Sequence, residues 1–151
     1  MSDDKRNRMD VLMERIQTTG YQSFTAGERL YYSMWWFMTE TNNEGLHQFF
    51  LNESGTHVAD ALRSLELIGA SQTADILRRA ITIFPDSRVP TDIRERRETL
   101  CDLPDELQWD RLGELTTELF QTREPIAEGV EDYIRQHAEE FANFQQLYEE
   151  L

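Results

Sequence analysis

Apolar residues recur at three- and four-residue spacing along nearly the whole chain, and no stretch keeps the strict alternation of a half-buried strand. Met9, Leu12, Met13 and Ile16 share one side of a first helix predicted over residues 8–17, with Gly20 ending it. Thr25-Ala26-Gly27-Glu28 has the form of a capping box, in which the Thr hydroxyl and the Glu carboxylate satisfy free amide donors at a helix start. The helix it opens carries the run Tyr31-Tyr32-Ser33-Met34-Trp35-Trp36-Phe37-Met38 and is predicted to stop near Asn42-Asn43. A short helix over residues 46–51 follows, closed by Asn52 and Gly55. Val58, Ala61, Leu62, Leu65 and Ile68 mark the next, with Gly69 as a left-handed stop. Ser71 begins another, with Ala74, Leu77, Ile81 and Phe84 facing inward and Pro85 at its end. Residues 85–90 read as an exposed loop, and the basic-rich stretch 93–100 leads into the last third.

That last third divides cleanly on helical wheels. For a helix over residues 105–120, at about 100° per residue, Trp109, Leu112, Leu115 and Leu119 fall on one face. Glu106, Asp110, Glu114 and Glu118 fall in an i, i+4 row on the other. Like charges so spaced cost a few tenths of a kcal/mol per pair, on the order of 1 kcal/mol for the row. Pro125 suits a first helical turn, after which Ile126, Val130, Tyr133, Ile134, His137, Phe141, Phe144 and Tyr148 form a continuous apolar stripe. Glu128, Glu131, Asp132, Glu139, Glu149 and Glu150 lie on or near the opposite face, interrupted by Arg135. The expected architecture is all-α: one compact domain of about seven or eight helices over residues 1–151. It comprises an N-terminal helix and connector (1–24), a core (25–97) and acidic helices (98–151).

Charge sharpens this picture. The net charge is −14, but residues 1–97 hold 14 acids and 12 bases, whereas residues 98–151 hold 15 acids and 3 arginines. The sign excludes direct nucleic-acid binding and disfavours an anionic membrane. The aromatic run is far shorter than the roughly 18–20 residues of a membrane span. No apolar signal core follows Met1-Ser2-Asp3-Asp4-Lys5-Arg6, and Cys101 is the only cysteine, so a reducing cytoplasm is expected and the sequon Asn52-Glu53-Ser54 is read as empty. What remains is a solvated acidic face or a surface built to meet something basic.

Catalytic chemistry is not evident. His47, His57 and His137 have no metal-ligand spacing, and His137 reads as a hydrogen-bonded core residue. Cys101 has no neighbour that would activate a thiolate and is expected to be buried and inert. Asp102, Asp105, Glu106 and Asp110 lack the Gly and terminal Glu of a calcium loop, and no Gly-rich phosphate loop exists. No enzyme, cofactor or metal is expected.

One stretch is distinctive: Asn43-Glu44-Gly45-Leu46-His47-Gln48-Phe49-Phe50-Leu51-Asn52-Glu53-Ser54-Gly55, followed by Ile68-Gly69-Ala70. Gly45 permits a tight turn, and Gln48 and Asn52 sit four apart on a short aromatic helix. Such amides must be hydrogen-bonded if buried, which favours a structural role for Asn43, Gly45, Gln48, Phe50 and Asn52. The arrangement resembles the bacterial DNA-mimic protein family, whose members show an Asn-Gly-Gly turn, a Gln, an aromatic pair, an Asn and a Gly, then an Ile-Gly-Ala turn. Glu44 departs from that pattern, standing where the family has its first Gly. The likeness extends loosely over residues 30–141.

The resemblance implies an acidic helical protein that occupies the DNA-binding surface of a transcription factor or similar protein. It also points to a homodimer, which would extend the negative surface. Trp35-Trp36-Phe37 span about 200° of a helix and so need a second packing surface, from this chain or a partner. Glu106, Asp110, Glu114, Glu118, Glu128, Glu131, Asp132 and Glu139 are the expected stand-ins for phosphates, with a basic DNA-binding protein as partner. The rival readings are an immunity or antitoxin-type protein against a basic toxin or nuclease, and a small-ligand or enzyme domain using the box at 43–52.

Overall fold

A computed structural model describes residues 7–144; Tyr148, Glu149 and Glu150 of the predicted last helix, and the leading residues 1–6, lie outside them. The described residues are helical, with no strand among them. α1 (Arg8–Thr18) is opened by a reciprocal cap, Asn7 and Asp10 each accepting the other's amide hydrogen at 2.9 Å. Its Met9 and Leu12 are buried, but Met13 stands 38% exposed at the margin of the expected face. α2 (Ala26–Leu51) begins with the predicted Thr25/Glu28 capping box. Its helical geometry breaks only at Gly45 (φ 86, ψ −173), so the two expected helices abut with a single residue between them. α3 (Val58–Leu67) ends at Gly69 with the expected positive φ of 79, and α4 (Ser71–Ile81), α5 (Ile93–Cys101), α6 (Leu112–Gln121) and α7 (Ile126–Gln136) follow.

α2 is the central rod and packs against α3, α5, α6 and α7. Its Leu30, Met34, Phe37, Leu46, Phe49 and Phe50 meet Leu65, Leu77, Phe84, Leu100, Leu112 and Leu115 in the main core. Each such side chain contributes about 1.5–3 kcal/mol when fully buried. The rings of Phe37, Phe49, Phe50 and Phe84 form an edge-on chain with centroids 5.2, 5.4 and 5.0 Å apart. The aromatic triplet resolves into three environments. Phe37 joins this core, Trp36 leans on a second cluster, and Trp35 remains 39% exposed.

Two expectations are corrected. The helix predicted over 105–120 opens with a π-helical turn, Glu106–Arg111, before α6. The extra residue per turn shifts the phase, so Trp109 leaves the apolar face for solvent and Gln108 turns inward. The single last helix is interrupted at His137 (φ −128, ψ 43), which caps α7. That bend lets Phe141 and Phe144 pack with Met9, Leu12 and Phe24 as a separate small core.

Candidate functional site

The box lies where α2, α5 and α6 meet. A side chain at Gly45 would combine an unfavourable φ with a contact of 2.9 Å to Thr116 Cγ2, and the Thr116 hydroxyl accepts the Leu46 amide hydrogen at 3.1 Å. Gln48 Nε2 donates to Asn52 Oδ1 at 3.2 Å, and Asn52 Nδ2 donates to both carboxylate oxygens of Glu40 at 3.1 and 3.2 Å. Below them Arg96 is fully buried. It donates to the carbonyls of Phe50, Pro90, Thr91 and Asn52 and to the Thr56 hydroxyl at 2.7–3.1 Å. Burial and the neighbouring Arg97 charge push its guanidinium below the usual arginine range. Asn43 is exposed, and Phe50 is wholly in the core. A groove of about 850 Å³ passes Asn52, bounded by Tyr32, Trp36, Glu40, His57 and Arg97; Gln48 does not line it.

The box also touches the acidic third through His47. Its ring stacks on Trp109 with centroids 4.0 Å apart and planes 17° apart. Gln108 anchors the π turn beneath, its Nε2 donating to the Cys101 and Leu103 carbonyls at 3.0 and 2.7 Å, with Oε1 3.5 Å from His47 Nε2. Trp109 itself is 55% exposed. Cys101, expected to be buried, is exposed, because Arg96 and Leu100 take the inward positions of α5. His137 is half-buried, within 3.1 Å of the Tyr133 carbonyl and stacked on the Tyr133 ring. No group of three His, Cys, Asp or Glu among the described residues is placed to hold a metal ion.

The eight candidate carboxylates fall into two sets. Glu118 takes both terminal nitrogens of Arg79 at 2.8 Å, and this fork holds its carboxyl below the usual range. Glu131 pairs with Arg8 at 2.5 Å, Asp132 pairs with Arg135, and Glu114 lies 3.7 Å from Arg111. Glu106, Asp110, Glu128 and Glu139 have no ion pair among the described residues, and all four are exposed. The first two ride the π turn; the others belong to α7 and the turn that follows it.

One further acid has a role that the sequence reading missed. Glu124, from the connector before α7, accepts the Thr73 amide at 2.6 Å, the Thr73 hydroxyl at 2.8 Å and the Gln72 amide at 3.1 Å. It therefore caps α4 from a distance. Burial alone would raise its carboxyl, but these donors outweigh burial and hold it low. The available signal is Ala70, which opens α4 with no capping side chain of its own.

Among known protein families, the model described as DMP19-like protein matches residues 22–137, from the connector before α2 to His137. No curated protein and no solved structure matches the chain.

Proposed function

This chain belongs to the DMP19-like protein family, and on that premise we propose that its acidic last third occupies the DNA-binding surface of a basic protein in competition with DNA. The observation carrying this reading is the uneven charge. Residues 98–151 hold 15 acids against 3 arginines, and Glu106, Asp110, Glu128 and Glu139 have no cation within the described fold. A surface of Lys, Arg and helix N-termini shaped for phosphates is equally suited to carboxylates held on helices. These four free acids are the primary contacts. Glu114, Glu118, Glu131 and Asp132 contribute less, because each must share or release an arginine to engage a partner. The function is binding, with no catalytic step.

Competition makes two linked demands. Binding weakens steeply with salt, since the Debye length falls from about 10 Å at 0.1 M to 3 Å at 1 M, and duplex DNA displaces the bound partner. Immobilised full-length chain incubated with lysate at low salt is expected to retain DNA-binding proteins that a salt step releases and added duplex DNA displaces. Retained proteins that duplex DNA leaves in place would contradict the reading.

A further inference from the structure

An exposed tryptophan is unusual among carboxylates, and here the backbone is arranged to keep it there. The π turn rotates Trp109 out of the core, and buried Gln108 fixes that turn through two backbone carbonyls. His47 stacks on one face of the indole, and Trp109 as a whole is still 55% exposed. Glu106 and Asp110, both without an ion pair among the described residues, share the turn, and residues 102–110 contain Asp102, Asp105, Glu106 and Asp110 with no basic residue.

We propose that the Trp109–His47 stack, flanked by Glu106 and Asp110, receives an arginine side chain from the basic surface of a partner protein. A guanidinium is planar and weakly hydrated; it can lie on an aromatic face while its edge donates to carboxylates. An ammonium satisfies the charges but stacks less well, and Trp is the ring that attracts a guanidinium most strongly. The charge complementarity selects a cationic occupant, and the free aromatic face selects arginine over lysine. This inference rests on the proposed function and adds the point of arginine recognition to it.

Labelled nona-arginine and nona-lysine peptides, titrated against the full chain at low salt, separate the two ideas. The wild type is expected to bind both and to favour nona-arginine. Trp109→Ala, an exposed substitution, should weaken nona-arginine roughly two- to fivefold and leave nona-lysine and the salt slope unchanged, with Trp109→Phe intermediate. Neutralising Glu106 and Asp110 together should weaken both peptides. If Trp109→Ala changes both peptides equally or neither, the arginine contact is wrong while the acidic-face reading stands. If neither peptide binds the wild type, both fall. A shift in sedimentation mass on Trp109→Ala would assign the ring to a contact between copies of this chain and overturn the proposal.

Discussion

Arg96 and Glu106 show how differently the fold treats charge in its two halves. Arg96, beneath the box, is fully buried with no carboxylate bonded to it, and four backbone carbonyls and a hydroxyl take up its donors. Glu106, one helix later, is exposed and has no ion pair among the described residues. A buried charge is tolerated only when its hydrogen-bonding capacity is filled, so Arg96 is spent on holding chain segments together. An exposed carboxylate costs little to leave open and stays available to a partner. On the proposed function, the box region organises the fold and the last third meets the partner.

The largest effect is expected at the hub. Arg96→Met removes the guanidinium donors to the Phe50, Pro90 and Thr91 carbonyls and one of the two donors to the Asn52 carbonyl, and should destabilise by about 3–5 kcal/mol. At about 2–4 °C per kcal/mol for a chain of this size, thermal unfolding should fall by roughly ten degrees. An unchanged melting temperature would break the contrast.

Glu28 extends the same logic to the second core. Its carboxylate is fully buried, accepts from Arg15, from Asn143 Nδ2 at 3.0 Å and from the Thr25 amide at 2.9 Å. Burial alone would raise it, but these partners hold it below the usual carboxylate range. Glu28→Gln should cost about 2–3 kcal/mol near neutral pH. Because the folded value lies below the unfolded one, the stability linked to this ionisation is complete above the unfolded pKa of about 4.3 and is lost as pH falls through the folded pKa. Denaturant titrations at several pH values should therefore show the variant and wild type converging on acidification. A gap that widens instead would contradict the assigned direction.

A smaller cost is expected at the junction of the two regions. Gly45→Ala places a Cβ at positive φ and 2.9 Å from Thr116, for about 1–3 kcal/mol. It should also disturb the neighbouring His47–Trp109 stack, visible in the Trp fluorescence. Smallest of all, Glu106→Gln with Asp110→Asn should change stability by no more than about 0.5 kcal/mol, as surface substitutions do. A large loss there would move these acids from recognition to structure.

How much of this was legible in the sequence depended on how local each feature is. The Thr25/Glu28 cap, the stop at Gly69 and the break at Gly45 depend on neighbouring residues and were read correctly. The phase of the acidic helix was not, because a wheel at 100° per residue assumes α geometry, and nothing in the string marks Gln108 as the residue that pulls the turn into π form. His137 reads as one more member of a stripe; that its ring stacks on Tyr133 where the helix ends is a three-dimensional fact. The pairing of Glu118 with Arg79, and the capping of α4 by Glu124, join residues 39 and 51–52 positions apart, so the sequence could count those carboxylates but not tell engaged from free. Arg96 was hidden in a stretch that looked merely basic.

The most direct test compares wild-type chain with a variant carrying Lys at the four free acids, Glu106, Asp110, Glu128 and Glu139, against a retained DNA-binding protein at low salt. The account predicts that DNA-displaceable binding disappears while circular dichroism shows unchanged helix content. Undiminished binding by the folded variant would contradict it.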